Sequence, residues 1–328
     1  MARALLPAKT IREVAPWHIC PRHTPATRLF ADKMVPMSNT NPVPIAVLIA
    51  ELVPALAFGL AAERVAGVVG RWPRLVRIAA PAVLVVPYVV LAEWQHMFRW
   101  EWFALYLGLP VVMAWMLEQA ALADPEQRGT WQDALILLTL GLAVDLRWFD
   151  AAWPSGLRGW GNLVLVDAGL YGFLAIRRLS GTGFDFHFHW ADWKTGLREL
   201  VFFAPFVLVL GLALGFLQPH TNTPAIGKAA LTWAGIFVFV AVPEELFFRA
   251  WVQNFLERRV GRTAALVIAS VLFGLSHFNK RSAHFNWRYV LLASIAGVFY
   301  GRGWRERRRV PASGITHTCV DWLWSFWF

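Results

Sequence analysis

Cysteine is almost missing from this chain. Cys20 and Cys319 are the two in 328 residues, too few for a disulfide framework and too far apart for paired-cysteine metal spacing. Charge is also scarce: Asp, Glu, Lys and Arg make up 16% of the sequence, less than a soluble globule of this length uses to cover itself. Acidic residues are the scarcer sign, 21 against 31 basic ones. There is no internal repeat, no pair of inverted halves of the sort common in transporters, and no His-Glu-x-x-His pattern for a zinc hydrolase.

What fills the chain instead is apolar surface. Hydrophobic residues reach 57%, with 19 Trp, and the mean hydropathy is +0.47. These values fit an all-α, polytopic membrane helix bundle of about eight to ten transmembrane helices. The tryptophans suit membrane interfaces, where an amphipathic ring is at home. The net charge of +10 is almost all arginine and falls between apolar runs. It therefore reads as an orientation signal in the bilayer and not as a nucleic-acid surface.

Residues 1–42 are polar, broken by proline and without helical periodicity. They lack an apolar signal-peptide segment and read as a disordered tail, or as sequence upstream of a start at Met34 or Met37. In that tail His18, Cys20 and His23 carry no metal expectation. The expected helices are 43–62, 78–96, 102–118, 131–149, 159–176, 198–218, 225–257, 263–278, 287–301 and 311–327, divided into amino-terminal membrane helices (43–196) and a core (197–328). Basic clusters follow the first, fifth, seventh and ninth runs: Arg64 to Arg77, Arg177 to Arg198, Arg258 to Arg262, and Arg302 to Arg309. All four then fall on one side, the cytoplasmic one. The basic tail lies on the opposite side in this scheme. Glu51, Glu93, His96, Asp145 and Asp167 are isolated polar residues in the early helices. Glu51 and Asp167 lie mid-run and need a partner or water. The alternating segment from Phe184 to Trp190, with His187 and His189, reads as an aromatic interfacial stretch.

The chemistry concentrates in Ala-Val-Pro-Glu-Glu-Leu-Phe-Phe-Arg, residues 241–249. Two adjacent carboxylates and an arginine in an apolar helix are costly. Glu245 and Arg249, four apart, share a face and pair. Glu244 is left without an intrahelical partner, on a face with Val240, Phe247, Phe248 and Trp251. That apolar setting disfavours its charged form and suits general acid–base work. Pro243 removes a backbone hydrogen bond and frees the Phe239 carbonyl. Glu244 and His277 each stand about 16 residues, or 20–25 Å of helix, from a basic turn at Val260-Gly261. Antiparallel helices would bring them to one depth. Ser313, His317 and Asp321, four apart in sequence, make a polar stripe on the last helix.

Glu244-Glu245-x-x-x-Arg249, Phe273-x-x-x-His277 and His317-x-x-x-Asp321, in this order, resemble the three motifs of the CPBP intramembrane proteases. That family includes the type II CAAX prenyl endopeptidases and Abi-type bacteriocin-processing or self-immunity proteins. Gly297-Val-Phe-Tyr-Gly301 is also similar to its pattern, and the resemblance covers about 197–328. It implies an endopeptidase of the inner (plasma) membrane, multi-pass, that cleaves a membrane protein or a lipidated or precursor peptide near its terminus. Glu244 and His277 would activate water, and His317 and Asp321 would stabilise the oxyanion. Glu245 and Arg249 would hold the helix or bind the substrate end. The last motif position is often Asn; Asp321, when ionised, only accepts hydrogen bonds, so it would orient His317, be protonated or ligate a metal. No cofactor is expected. Were Zn²⁺ used, Glu244, His277, His317 and Asp321 would be its ligands. The Ala-, Arg- and Trp-rich usage points to a bacterial chain, for which a precursor peptide is the expected substrate rather than a prenylated one. The alternative is a non-proteolytic transporter or scaffold that reuses the fold, because intramembrane carboxylates and histidines also serve proton relays.

Overall fold

A computed structural model describes residues 42–280, 282 and 284–328. The expected tail, with His18, Cys20, His23, Met34 and Met37, lies outside the described residues except for Pro42. Among the described residues there is no strand. The helices are α1 (Pro42–Gly70), α2 (Arg74–Trp94), α3 (Trp100–Ala123), α4 (Trp131–Asp145), α5 (Arg158–Ile176), α6 (Trp190–Ala213), α7 (Ile226–Val260), α8 (Arg262–Leu275), α9 (Trp287–Arg307) and α10 (Val310–Trp327). Six of them, α1, α2, α3, α5, α6 and α7, are long and apolar enough to cross a membrane. The protein is a polytopic helix bundle.

Local chemistry sets the element ends. Thr130 caps α4 through a reciprocal box with Asp133, satisfying two orphan amides. Gly261 stands between α7 and α8 at φ +80°, a conformation that glycine adopts without a Cβ clash. Pro81 lies in a 3₁₀ turn, Ala80–Val85, inside α2.

The basic segments gather at one end. Arg177 binds Asp124 and Asp133, and Arg258 and Arg259 reach the 127–129 loop. Arg308 pairs with Glu257, Arg309 with Asp185 and Asp192, and Arg74 and Arg77 with Glu118. The four clusters thus cross-link their own loops instead of standing free.

Several expected spans shift: the run placed at 43–62 continues to Gly70, that at 102–118 becomes Trp100–Ala123, and that at 287–301 continues to Arg307. The run placed at 198–218 begins at Trp190 and ends at Ala213. Its polar first turns read as a linker, but they are helical because Asp192 accepts from Arg307 and Arg309 and Glu199 accepts from Arg198 and stands in an ion pair with Arg302. At its other end Gly215, at φ +63°, stops the helix early. The expected boundary between 196 and 197 falls inside this helix. The run placed at 131–149 ends at Asp145. Phe184 to Trp190 has its first ring buried and Phe188 and Trp190 exposed, while His187 pairs with Asp185.

One hydrophobic core joins both halves: Val242, Leu246, Trp251, Trp304 and Val310 pack with Leu117, Leu170 and Phe173. Trp251 lies against Phe173 (ring centroids 4.9 Å apart) and occupies the space a Cβ at Gly169 would need, so a side chain there would clash. A second cluster, Phe203, Phe248, Phe273, Phe299 and Tyr300, walls the polar site.

Candidate active site

Glu244 and Glu245 stand on a short α-helical stretch, Val242–Glu245, between two π-helical segments, Phe237–Ala241 and Leu246–Gln253. Pro243 lacks the N–H needed for a regular turn, and widened turns of this kind recur at functional sites.

The two carboxylates are used differently. Glu245 is fully buried (0% exposed). Its Oε2 accepts from Arg249 Nε at 3.0 Å, and its Oε1 accepts from His317 Nδ1–H at 3.0 Å. Arg249, equally buried, lies 5.1 Å from the Phe273 ring centroid, and its two terminal nitrogens have no hydrogen-bond partner. The bond from His317 places a proton on its Nδ1 and fixes the plane of the ring. Tyr300 stacks on that imidazole at 4.7 Å and 16°, and Phe273 meets it edge-on.

The Glu244 side chain is partly exposed. Oε1 lies 3.6 Å from Lys280 Nζ. Oε2 is buried without a hydrogen-bond partner, 3.9 Å from His317 Nε2. The apolar setting expected for Glu244 is therefore not what it meets on this side. An ammonium group from the turn after α8 supplies a counter-charge.

His277 lies in that same turn. Its Nδ1–H donates to the Phe273 carbonyl at 2.9 Å, which leaves Nε2 as an acceptor, 3.4 Å from Lys280 Nζ. Glu244 and His277 thus share one ammonium as a neighbour. Asp321 Oδ2 lies 3.6 Å from His317 Nε2. The structure brings Glu244, Glu245, Arg249, His277, His317 and Asp321 together from α7, the end of α8, and α10. It does not bring Ser313, whose hydroxyl donates to the Val310 carbonyl of its own helix at 3.1 Å.

Lys280 is the site residue that sequence reasoning passed over. Asp145, noted in the sequence only as an isolated polar residue, lies beside the same turn: its backbone carbonyl accepts from Asn279 at 3.0 Å. The available signals were a cation three residues beyond His277 and an acid at the end of an apolar run.

Among the described residues no three His, Cys, Asp or Glu side chains form a metal-binding group. Lys280 Nζ lies beside both His277 Nε2 and Glu244, a positive charge where a metal ion would otherwise stand, whereas Glu245 on His317 Nδ1 leaves the Nε2 atom of that ring free.

Residues 226–323 match the family model described as type II CAAX prenyl endopeptidase Rce1-like. No curated protein and no solved structure matches the chain.

Proposed function

We propose that Glu244 is the general base of a peptide hydrolysis carried out within the bilayer, a reading supported by the match of residues 226–323 to the Rce1-like type II CAAX prenyl endopeptidase model. The observation that carries this reading is the split state of its carboxylate. Oε1 is paired with Lys280, while Oε2 is buried with no hydrogen-bond partner, leaving a lone pair to accept a proton.

In this mechanism a water molecule between Glu244 and His277 gives a proton to Glu244 and adds to the scissile carbonyl carbon. His277 aligns the water through Nε2, the acceptor atom left by its bond to Phe273. Protonated His317, held on Glu245 through Nδ1, donates from Nε2–H to the developing oxyanion. Asp321 orients that imidazole from 3.6 Å. Glu244 then returns its proton to the leaving nitrogen as the C–N bond breaks. Arg249 is too deeply buried to meet a substrate end and acts by holding Glu245.

The substrate in this proposal is a membrane-associated protein or precursor peptide, cut near its terminus at the inner (plasma) membrane. The basic end of the bundle faces the cytoplasm. Glu244→Gln keeps the shape and removes the base, so cleavage in vesicles should fall by roughly 10²–10⁴-fold. A variant that inserts normally and cleaves at the wild-type rate refutes the assignment. Exhaustive treatment with a strong chelator should leave the wild-type rate unchanged; a loss restored by zinc would replace this mechanism with a metal-dependent one.

A further inference from the structure

Behind the catalytic stretch lies a second cavity, of about 480 Å³. Val242, Pro243 and Leu246 form part of its wall. Val242 and Leu246 are each two residues from Glu244, about 200° around a helix, so this cavity and the active site lie on opposite faces of α7. The remaining walls come from α1, α5, the 184–189 segment and the starts of α6 and α10. They are mostly apolar, with Leu52, Leu56, Trp233 and Phe237 prominent.

Glu51 of α1 and Asp167 of α5 line this cavity. Glu51 is 2% exposed, and neither of its carboxyl oxygens has a hydrogen-bond partner. Asp167 is buried to the same degree and close enough to act on Glu51 electrostatically. The other described buried acids are all matched by arginine. Glu118 has Arg74 and Arg77, Asp133 has Arg177, Asp192 has Arg307 and Arg309, Glu199 has Arg198 and Arg302, and Glu245 has Arg249. Among the described residues, Glu51 and Asp167 have no such cation.

An unpartnered carboxyl in an apolar cavity is costly, and two neighbouring ones cannot both carry charge without a cation between them. We propose that this cavity binds a cationic amphiphile, an alkylammonium whose nitrogen sits between Glu51 and Asp167 and whose chain lies along Leu52 and Leu56. Trp233, stacked between Trp193 (5.4 Å) and Phe237 (5.3 Å), adds a rigid apolar wall against which an alkyl chain can pack. This site is independent of the hydrolytic reading, because Glu244, His277, His317 and Asp321 are not among the residues that line it.

The test uses the full chain in detergent micelles and a dansyl fluorophore joined by an alkyl chain to a primary ammonium, with the corresponding alcohol as the neutral control. Saturable dansyl emission should show the amine binding at least about tenfold more tightly than the alcohol, as charge-assisted bonds require. Glu51→Gln and Asp167→Asn should each lower amine affinity by about tenfold and leave the alcohol unaffected. Glu244→Gln should bind the amine as wild type does. Equal binding of amine and alcohol to the wild-type chain overturns the proposal without recourse to any variant. So does undiminished amine binding in folded Glu51→Gln, or its loss in Glu244→Gln, which would place the amine in the front pocket.

Discussion

The front and back of α7 both carry buried carboxyl groups, but the protein treats them differently. On the front, Glu245 is locked between Arg249 and His317, and Glu244 shares Lys280 with His277. On the back, Glu51 and Asp167 look into a mostly apolar cavity and, among the described residues, are paired with no arginine or lysine. Buried charge that is paired can be held in one geometry, which an active site needs. Buried acid left unpaired is a standing cost. The contrast separates groups whose counter-charges are built in from groups whose counter-charge would have to arrive from outside.

The sharpest way to break this contrast is Glu245→Ala. It strands Arg249 and leaves His317 unheld, so stability should fall by about 3–5 kcal/mol, the scale for removing one partner of a buried ion pair. Thermal unfolding in detergent would read this. If the variant melts with wild type, Arg249 finds another partner and the front is less tightly coupled than its geometry implies. A smaller effect is expected from Lys280→Met. The fold should survive, while the catalytic rate falls roughly tenfold through loss of one charge-assisted contact beside Glu244, with partial recovery in Lys280→Arg. An unchanged rate would make Lys280 a bystander. The smallest effect, of opposite sign, belongs to the back. Glu51→Gln removes an ionisable group that has no partner, so stability without ligand should be unchanged or higher by about 1 kcal/mol. A marked loss of stability would mean that Glu51 is already satisfied and that the two faces are alike.

Much of the site could be read before any coordinates. Glu244, Glu245 and Arg249 are local, and the i, i+4 rule paired the last two correctly because one helix turn decides that contact. Equal spacing from Gly261 brought His277 toward Glu244 for a similar reason: a tight turn between two rods leaves few alternatives. Lys280 was missed because it lies beyond the last helical turn of α8, where no periodicity predicts direction. Ser313 shares a helix face with His317, but that spacing does not say which group the hydroxyl prefers, and it donates to the Val310 carbonyl of its own helix. The first turns of α6 were read as a linker because Asp192, Lys194, Arg198 and Glu199 look solvated until the arginines of α9 and α10 are beside them.

Sequence alone determined the solvent and the class of the fold, because long apolar runs have one comfortable environment and one hydrogen-bonded form within it. It also determined the register of the motif residues, since helical spacing is set by backbone geometry. Which cation would answer which carboxylate was decided only by the tertiary structure. His317 for Glu245, Lys280 for Glu244 and, among the described residues, no arginine or lysine for Glu51 and Asp167 are outcomes of packing between segments far apart in the chain. Coulomb energies in a medium of low dielectric depend on separations of a few ångströms, and no local pattern encodes these.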